Sequence, residues 1–272
     1  MVKSLKKVFK NSILKKKPIL AFNIQNFDQL DALAISSKIN NINVIAQFSV
    51  KYFDKLINKE SFSYIKKKYK KYKIFFFLDH CNNKNKIIKA IKLRFDGIMY
   101  DGSSLKLIDN IKNSNEIFRK IKNKNIVLET EIGIIHNQKD YGIKSKYSPL
   151  TYPDLKMFIK KTKFHIIAIA AGNSHGLNKS NIDLEIYKYA IKIDKKIKLV
   201  FHGASGNSIN YIKKISKLNL VKINYSSILK KEMSKLFSSY NKKFKLFDQI
   251  QFENFIKENL IKFFSNLLKS YK

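Results

Sequence analysis

Eight apolar runs of strand length recur along this chain of 272 residues, and each is followed by a polar or glycine-containing turn. The stretches between them carry apolar residues at three- and four-residue spacing, which is typical of helices that bury one face. The predicted strands cover residues 18–23, 43–49, 73–80, 97–103, 126–133, 165–172, 198–202 and 220–224. This alternation predicts an α/β protein whose strands pair in parallel.

Eight such units in a chain of this length predict a closed (β/α)8 TIM barrel, with an open doubly wound sheet as the alternative architecture. Residues 227–272 predict C-terminal helices, because their apolar residues recur at helical spacing. The sequence shows no internal repeat, proline-rich linker or second zone of composition. We therefore expect residues 1–272 to form a single domain.

A polar residue closes or directly follows each of the eight runs. These residues are Asn23, Ser49, Asp79 with His80, Asp101, Glu131, His175, His202 and Asn224. Polar residues also end ordinary strands, but the active sites of barrels lie at the C-terminal ends of their strands. The pattern predicts a site assembled from most of the strands at one mouth of the barrel.

Three of the five histidines, His80, His175 and His202, belong to this set of strand ends. Neutral imidazole is the commonest side-chain ligand of divalent ions, and three protein ligands with one open position are typical of catalytic zinc. His136 and His165 have no comparable setting. The three strand-end histidines therefore predict a Zn²⁺ site.

The formal net charge of +35 invites a nucleic-acid-binding interpretation. However, only Arg94 and Arg119 are arginine, so 53 of the 55 basic residues are lysines, scattered over every helical segment. Nucleic-acid readers generally use arginine forks as well, so we do not expect nucleic acid as a partner. A barrel that binds RNA or another surface through its lysines is an alternative, and the charge also predicts attraction of an anionic substrate.

A single cysteine, Cys81, excludes an internal disulfide, and neither end has the pattern of a secretory signal. The apolar runs are shorter than the roughly 20 residues of a membrane-spanning helix. We therefore expect a cytoplasmic protein that does not cross a membrane.

Seven short motifs follow one another along the chain. They are Ala21-Phe22-Asn23, Leu78-Asp79-His80, Asp101-Gly102-Ser103, Glu129-Thr130-Glu131-Ile132-Gly133, Gly172-Asn173-Ser174-His175-Gly176, His202-Gly203-Ala204-Ser205-Gly206 and Lys222-Ile223-Asn224. Their order and spacing resemble those of class II, metal-dependent fructose-bisphosphate aldolases and the related tagatose-bisphosphate aldolases.

This resemblance implies roles for most of the strand-end residues. His80, His175 and His202 would hold the catalytic Zn²⁺, and Asp79 would act as the acid/base. Asp101 and Glu131 match positions that bind a second divalent or a monovalent cation, but they can equally orient a histidine. The implied substrate- and phosphate-binding positions are Asn23, Ser49, Gly176, Gly203, Ala204, Ser205, Asn224, Tyr225, Ser226 and Ser227.

Two departures from the family pattern stand out. Cys81 replaces a glycine beside His80, where it can pack as a small apolar residue or act as a soft ligand. In the loop 134–142, the family has an acidic residue for proton transfer, and Lys139 occupies that position. We assign the proton-transfer role to Asp140, which occupies the acidic position if the loop shifts by one residue. His136 is an alternative.

The implied reaction is reversible cleavage of fructose 1,6-bisphosphate to dihydroxyacetone phosphate and glyceraldehyde 3-phosphate, as in glycolysis and gluconeogenesis. Zn²⁺ would serve as the Lewis acid that stabilises the enediolate. Tagatose 1,6-bisphosphate is the near alternative substrate, and a Schiff base at Lys222 is the alternative chemistry. The resemblance also implies a homodimer or homotetramer.

Overall fold

Eight parallel strands close into a barrel in chain order in the computed structural model, which describes residues 4–135, 150–164, 166–179 and 181–271. Each strand pairs with its neighbours in the chain, and the eighth pairs with the first. The strands are β1 (Ile19–Asn23), β2 (Val44–Ser49), β3 (Ile74–Cys81), β4 (Gly97–Tyr100), β5 (Val127–Ile132), β6 (Ile166–Ile169), β7 (Lys198–Phe201) and β8 (Leu220–Tyr225). The predicted (β/α)8 barrel is confirmed, and closure rules out the open sheet.

Helices cover the outside of the barrel and its N-terminal end, and the last two confirm the predicted C-terminal helices. They are α1 (Leu5–Lys15), α2 (Phe27–Asn40), α3 (Val50–Leu56), α4 (Lys59–Lys68), α5 (Lys84–Lys92), α6 (Leu107–Ile121), α7 (Tyr152–Lys161), α8 (Leu184–Ile193), α9 (Ile209–Ile215), α10 (Ser227–Lys243) and α11 (Gln249–Ser270). Helix α11 packs along α2, where the Ser36 hydroxyl donates to the Ile261 carbonyl oxygen.

The fourth and sixth strands end earlier than the sequence predicts. Strand β4 stops at Tyr100, because Asp101 Oδ1 accepts the Ser103 amide at 3.1 Å and turns the chain. Strand β6 stops at Ile169, and Gly172 then adopts a φ of 82°. Both stretches begin loops at the barrel mouth.

Side-chain alternation along the strands produces two separate hydrophobic cores. Phe75, Phe77 and Val127 belong to the inner core, inside the barrel, whereas Phe76 and Leu78 join the larger core between strands and helices. Successive side chains of a strand point to opposite faces, so residues two apart share one core. This periodicity determines which strand residues face the barrel axis.

Helix α1, which the sequence analysis did not predict, packs across the N-terminal end of the barrel. Ser4 caps its first turn, and Leu5, Val8 and Phe9 are buried in the inner core. The inner core is therefore closed by a helix at one end. Within the described part of the chain, no helix combines the length and apolarity that crossing a bilayer requires.

The Phe9→Ala substitution tests the importance of this helix. Phe9 is 1% exposed, and its removal leaves a cavity in the inner core, so we expect the free energy of unfolding to fall by about 3–5 kcal/mol. Leu14→Ala is the matched control on the same helix, because Leu14 is 74% exposed and should change stability by about 0.5 kcal/mol or less. Urea denaturation measures both, and equal losses would contradict a buried role for α1.

Candidate active site

The inward-facing residues change from apolar to polar toward the C-terminal ends of the strands. In β3 the order is Phe75, Phe77 and Asp79, and in β5 it is Val127, Glu129 and Glu131. The alternation that fills the inner core thus also directs acidic side chains toward the mouth. The strand-end residues that the sequence analysis singled out on β3 and β5 lie at this mouth.

His80 faces the mouth only because the backbone departs from regular strand geometry. It shares the parity of Phe76 and Leu78, which face outward, but its φ is 44°. The pairing of β3 with β4 also shifts register between Leu78 and Cys81. A left-handed conformation costs roughly 1–2 kcal/mol for a residue with a Cβ. Strain of this kind is typical of functional positions.

The three predicted histidines lie together. Their ring centroids are 4.8 to 5.8 Å apart, and one nitrogen from each ring lies within 4.8 Å of the others. The shortest contact joins His80 Nε2 to His202 Nδ1 at 3.1 Å. The geometry therefore brings one potential ligand atom from each histidine to one point.

Carboxylates hold the remaining nitrogens of two of these rings. His80 Nδ1 lies 2.9 Å from Asp101 Oδ2, and His202 Nε2 lies 3.0 Å from Glu129 Oε1. A carboxylate accepts hydrogen bonds, so His80 Nδ1 and His202 Nε2 carry protons, and the other two ring nitrogens, His80 Nε2 and His202 Nδ1, face each other.

One cation between these two nitrogens, 3.1 Å apart, satisfies both: either a proton on His80 Nε2, which then donates to His202 Nδ1, or a metal ion that replaces this proton. A tetrahedral zinc site with Zn–N distances of about 2.0–2.1 Å separates its nitrogens by roughly 3.4 Å, which is close to the observed spacing. Buried oxygens near the cluster also lack hydrogen-bond partners among the described residues, namely Asp79 Oδ1, Glu131 Oε2 and Asn224 Oδ1. The donor set therefore fits a metal ion.

The electrostatics of the cluster favour positive charge at the same point. Burial opposes protonation of His80, but Asp79 and Asp101 overcome it and raise the pKa of His80 to about 10. Burial, assisted by His80, lowers the pKa of His175 to about 4 and also lowers that of His202. Two neutral imidazoles thus adjoin a position where carboxylates stabilise a cation.

The two predicted second-cation residues lie beside His80. Asp101 Oδ1 accepts from the Ser103 hydroxyl at 2.6 Å, so Asp101 joins Ser103 to His80 Nδ1. Glu131 Oε2 lies 3.5 Å from the same nitrogen. Burial and the nearby Asp101 raise the pKa of Glu131, whereas His80 and Ser103 lower that of Asp101 against the effect of burial. These contacts are compatible with both roles expected for Asp101 and Glu131, orientation of His80 and binding of a second cation.

Asp79 is buried next to the histidines and held by an amide chain. Asn23 Nδ2 donates to Asp79 Oδ2 at 2.7 Å, and Gln47 Nε2 donates to Asn23 Oδ1 at 2.8 Å. Burial opposes the charge of Asp79, but His80 and Lys222 lower the pKa of its carboxyl. The sequence analysis did not identify Gln47, although its parity within β2 places it inward.

A cavity of about 930 Å³ opens above the histidines. The predicted residues that line it are Asn23, Ser49, Asp79, His80, His175, Gly176, Gly203, Ser205, Asn224, Ser226 and Ser227. Residues that the sequence analysis missed also line it, namely Gln25, Tyr52, Leu177, Lys230, Lys231 and Ser234. Helix α10 supplies the two lysines at its first turns.

Two of the predicted substrate-binding residues, Ala204 and Tyr225, do not present side chains to this cavity. Ala204 is buried in the outer core, and the Tyr225 ring stacks on Phe22 and contacts the Tyr271 hydroxyl. Only their backbones are therefore available to a ligand. Asp140 lies outside the described residues.

A hydrogen bond and one glycine join the loops that carry His175 and His202. Asn173 Nδ2 donates to the His202 carbonyl oxygen at 3.1 Å. The backbone N–H of Ser226, which follows β8, donates to Ser205 Oγ at 3.3 Å and so ties the His202 loop to the end of that strand. Gly203 has a φ of 78°, and a Cβ there would lie 2.2 Å from the Ser174 carbonyl oxygen. Only glycine allows the two loops to approach this closely.

Beneath the histidines, Lys222 and Glu129 form an ion pair that the sequence analysis did not identify. Lys222 Nζ lies 2.6 Å from Glu129 Oε2, and both side chains are fully buried. This lysine, the candidate for Schiff-base chemistry, is therefore not exposed to the cavity. Glu129 shares the inward-facing parity of Glu131 along β5, and this spacing is the sequence signal that could have identified Glu129 as the acidic partner of Lys222.

Comparison with known proteins identifies the family of this chain. A family model described as class II fructose-bisphosphate aldolase matches residues 3–271. The chain belongs to the class II fructose-bisphosphate aldolase family. It is therefore an aldolase, an enzyme of the lyase class.

The relatives of this aldolase carry more than one name. It is 29% identical over 229 residues to a fructose-bisphosphate aldolase of Ureaplasma parvum, with 82% of this chain and 78% of the relative covered. It is 28% identical over 151 residues to a 6-phospho-5-dehydro-2-deoxy-D-gluconate aldolase of Shouchella clausii, with 55% and 51% covered.

A solved fructose-bisphosphate aldolase structure from Campylobacter jejuni has the same fold. It superposes with a TM-score of 0.80 at 20% identity and covers 98% of this chain and 92% of that one. At this identity the similarity establishes the fold alone.

The Gly203→Ala substitution tests the close approach of the two loops. The added methyl group collides with the Ser174 carbonyl and strains a left-handed backbone, so we expect a loss of about 1–3 kcal/mol in unfolding free energy. Zinc binding should also weaken, because both loops carry histidines. Urea denaturation and zinc titration measure the two effects, with the exposed Ser238→Ala as control. Unchanged stability and zinc affinity would contradict the proposed constraint.

Proposed function

We propose that this aldolase is zinc-dependent and cleaves fructose 1,6-bisphosphate to dihydroxyacetone phosphate and glyceraldehyde 3-phosphate. The observation that carries the proposal is the pair of nitrogens, His80 Nε2 and His202 Nδ1, that face each other at 3.1 Å beneath the cavity. Their partner nitrogens are committed to carboxylates, so this pair is free to bind a metal.

His80, His175 and His202 are the residues that would hold the ion. A bound Zn²⁺ supplies a Lewis acid for the ketone of the substrate. Asp101 orients His80 through Nδ1, and Glu131 lies close enough to the same ring to complete a second cation site with Asp101. A second divalent or monovalent cation there remains part of the proposal.

Asp79 is the proposed acid/base. Its Oδ2 is held by Asn23, whereas its Oδ1 is buried without a hydrogen-bond partner in the described chain, and the residue lines the cavity. The lowered pKa keeps this carboxyl ionised, so Oδ1 can accept the proton of the substrate hydroxyl when the carbon–carbon bond breaks. In the synthetic direction the same oxygen returns the proton.

The loops around the cavity are the proposed phosphate sites. Gly176, Gly203 and the backbone of Ala204 and Tyr225 offer amides near the hydroxyls of Ser205, Ser226 and Ser227. Backbone amides and hydroxyls at the ends of the last two barrel strands commonly bind phosphate. Lys230 and Lys231 add positive charge to the same wall, which suits a doubly phosphorylated sugar.

Fructose 1,6-bisphosphate is the proposed substrate because the relative matched over most of both chains is named for it. Tagatose 1,6-bisphosphate differs at one hydroxyl and is the nearest alternative. A role in glycolysis and gluconeogenesis, a cytoplasmic location and assembly into a homodimer or homotetramer belong to the same proposal.

Metal removal tests the proposal directly. We expect aldol cleavage of fructose 1,6-bisphosphate to be lost on chelation, to return with Zn²⁺, and to be absent from His202→Ala, because His202 supplies a ligand nitrogen. Triose phosphate release measures the activity, with tagatose 1,6-bisphosphate assayed in parallel. Activity that survives complete metal removal would contradict the metal mechanism. Steep salt-dependent RNA binding without cleavage of either sugar bisphosphate would contradict the proposed enzymatic function.

The Asp79→Asn substitution separates proton transfer from metal binding. The amide keeps an oxygen for the Asn23 contact but cannot accept a proton, so we expect kcat to fall by about 10²- to 10⁴-fold while zinc content is retained. Steady-state kinetics and metal analysis measure the two quantities. Asp54→Asn, which removes a surface carboxylate paired with Lys86, is the control and should leave kcat unchanged. A fully active Asp79→Asn enzyme would exclude the assigned role.

A further inference from the structure

The ion pair between Lys222 and Glu129 lies in the centre of the barrel, below the histidine cluster. Both side chains have no exposed surface, and Lys222 Nζ lies 4.0 Å from the centre of the Phe77 ring. Burying two opposite charges requires expensive desolvation, and apolar residues of similar size commonly stabilise a fold as well. Stability alone therefore gives little reason for this pair.

Glu129 divides its two oxygens between two partners. Oε2 contacts Lys222, whereas Oε1 lies 3.0 Å from His202 Nε2. Lys222 also contacts Gln47 Oε1 at 3.4 Å, so three neighbours fix the position of its ammonium group. An ammonium group only donates hydrogen bonds, so it requires an oxygen from the residue at position 129.

We propose that Lys222 is a positioning residue for the metal site. By fixing Oε2 of Glu129, it leaves Oε1 to accept the His202 Nε2 proton, and His202 then presents the lone pair of Nδ1 toward His80. The Asn224 amide lies 3.1 Å from each nitrogen of the His202 ring and so does not select between them. This inference rests on the proposed metal site, and it replaces Schiff-base chemistry as the role of Lys222.

The Glu129→Gln variant makes the proposal testable, because an amide has one oxygen and one nitrogen. Lys222 requires the oxygen, so the amide nitrogen must face His202 Nε2 and donate to it. His202 then carries its proton on Nδ1, which can no longer bind a metal. In the double variant Lys222→Met/Glu129→Gln, no lysine requires the amide oxygen. The amide at position 129 can therefore rotate so that its oxygen accepts the proton of His202 Nε2, as the Glu129 carboxylate does.

We expect Glu129→Gln to weaken zinc affinity by about 10- to 100-fold and the double variant to recover most of that loss. Competition with a chromophoric chelator measures affinity, and ¹⁵N chemical shifts of the histidine rings in metal-free protein report which nitrogen carries the proton. Lys84→Met is the control, because it also removes a lysine ion pair, with Glu116 at 2.7 Å, but on the surface. It should leave both readouts unchanged, and circular dichroism checks that each variant folds.

Three results would overturn the proposal. They are a folded Glu129→Gln protein with wild-type zinc affinity, a folded double variant without recovery, and covalent trapping of a ketose phosphate on Lys222 by borohydride. The ring shifts are read without metal, so they test the Lys222 role even if the wild-type protein binds no zinc. Absence of zinc binding by the wild-type protein would instead count against the proposed function.

Discussion

The two-residue alternation of parallel strands in a closed barrel is the constraint on which the whole structure depends. Closure of the barrel turns every second side chain toward one axis. The register of each strand therefore decides both which side chains pack in the inner core and which side chains lie at the mouth. In β5 the same parity carries Val127 into the inner core and Glu129 and Glu131 toward the histidines. A one-residue slip would exchange the core and the site together.

Charge is distributed in opposite ways at the centre of the site and around it. The chain has 20 acidic and 55 basic residues, yet Asp79, Asp101, Glu129 and Glu131 converge on the histidine cluster. These carboxylates favour a cation at the floor of the cavity, whereas lysines of α10 favour anions at its wall. One cavity therefore combines a floor suited to a cation with a wall suited to an anion.

The sequence predicted the strands and the histidine cluster well, because strand periodicity and polar strand ends are local signals. It did not predict α1, because the apolar residues of this helix are buried only against the open end of the assembled barrel. It also missed the contact between Lys222 and Glu129, which joins strands three positions apart across the barrel. The outward packing of Tyr225 likewise depends on Phe22, a residue distant in the chain.

The left-handed backbone of His80 sets stability against the proposed metal-binding role at a single position. Glycine or asparagine adopts this conformation more readily, so variants that relieve the strain would fold more stably while losing a ring nitrogen from the cluster. Selection for thermal robustness and selection for activity therefore act in opposite directions on this residue. We would expect a homologue that no longer catalyses the reaction to lose His80 early in its divergence.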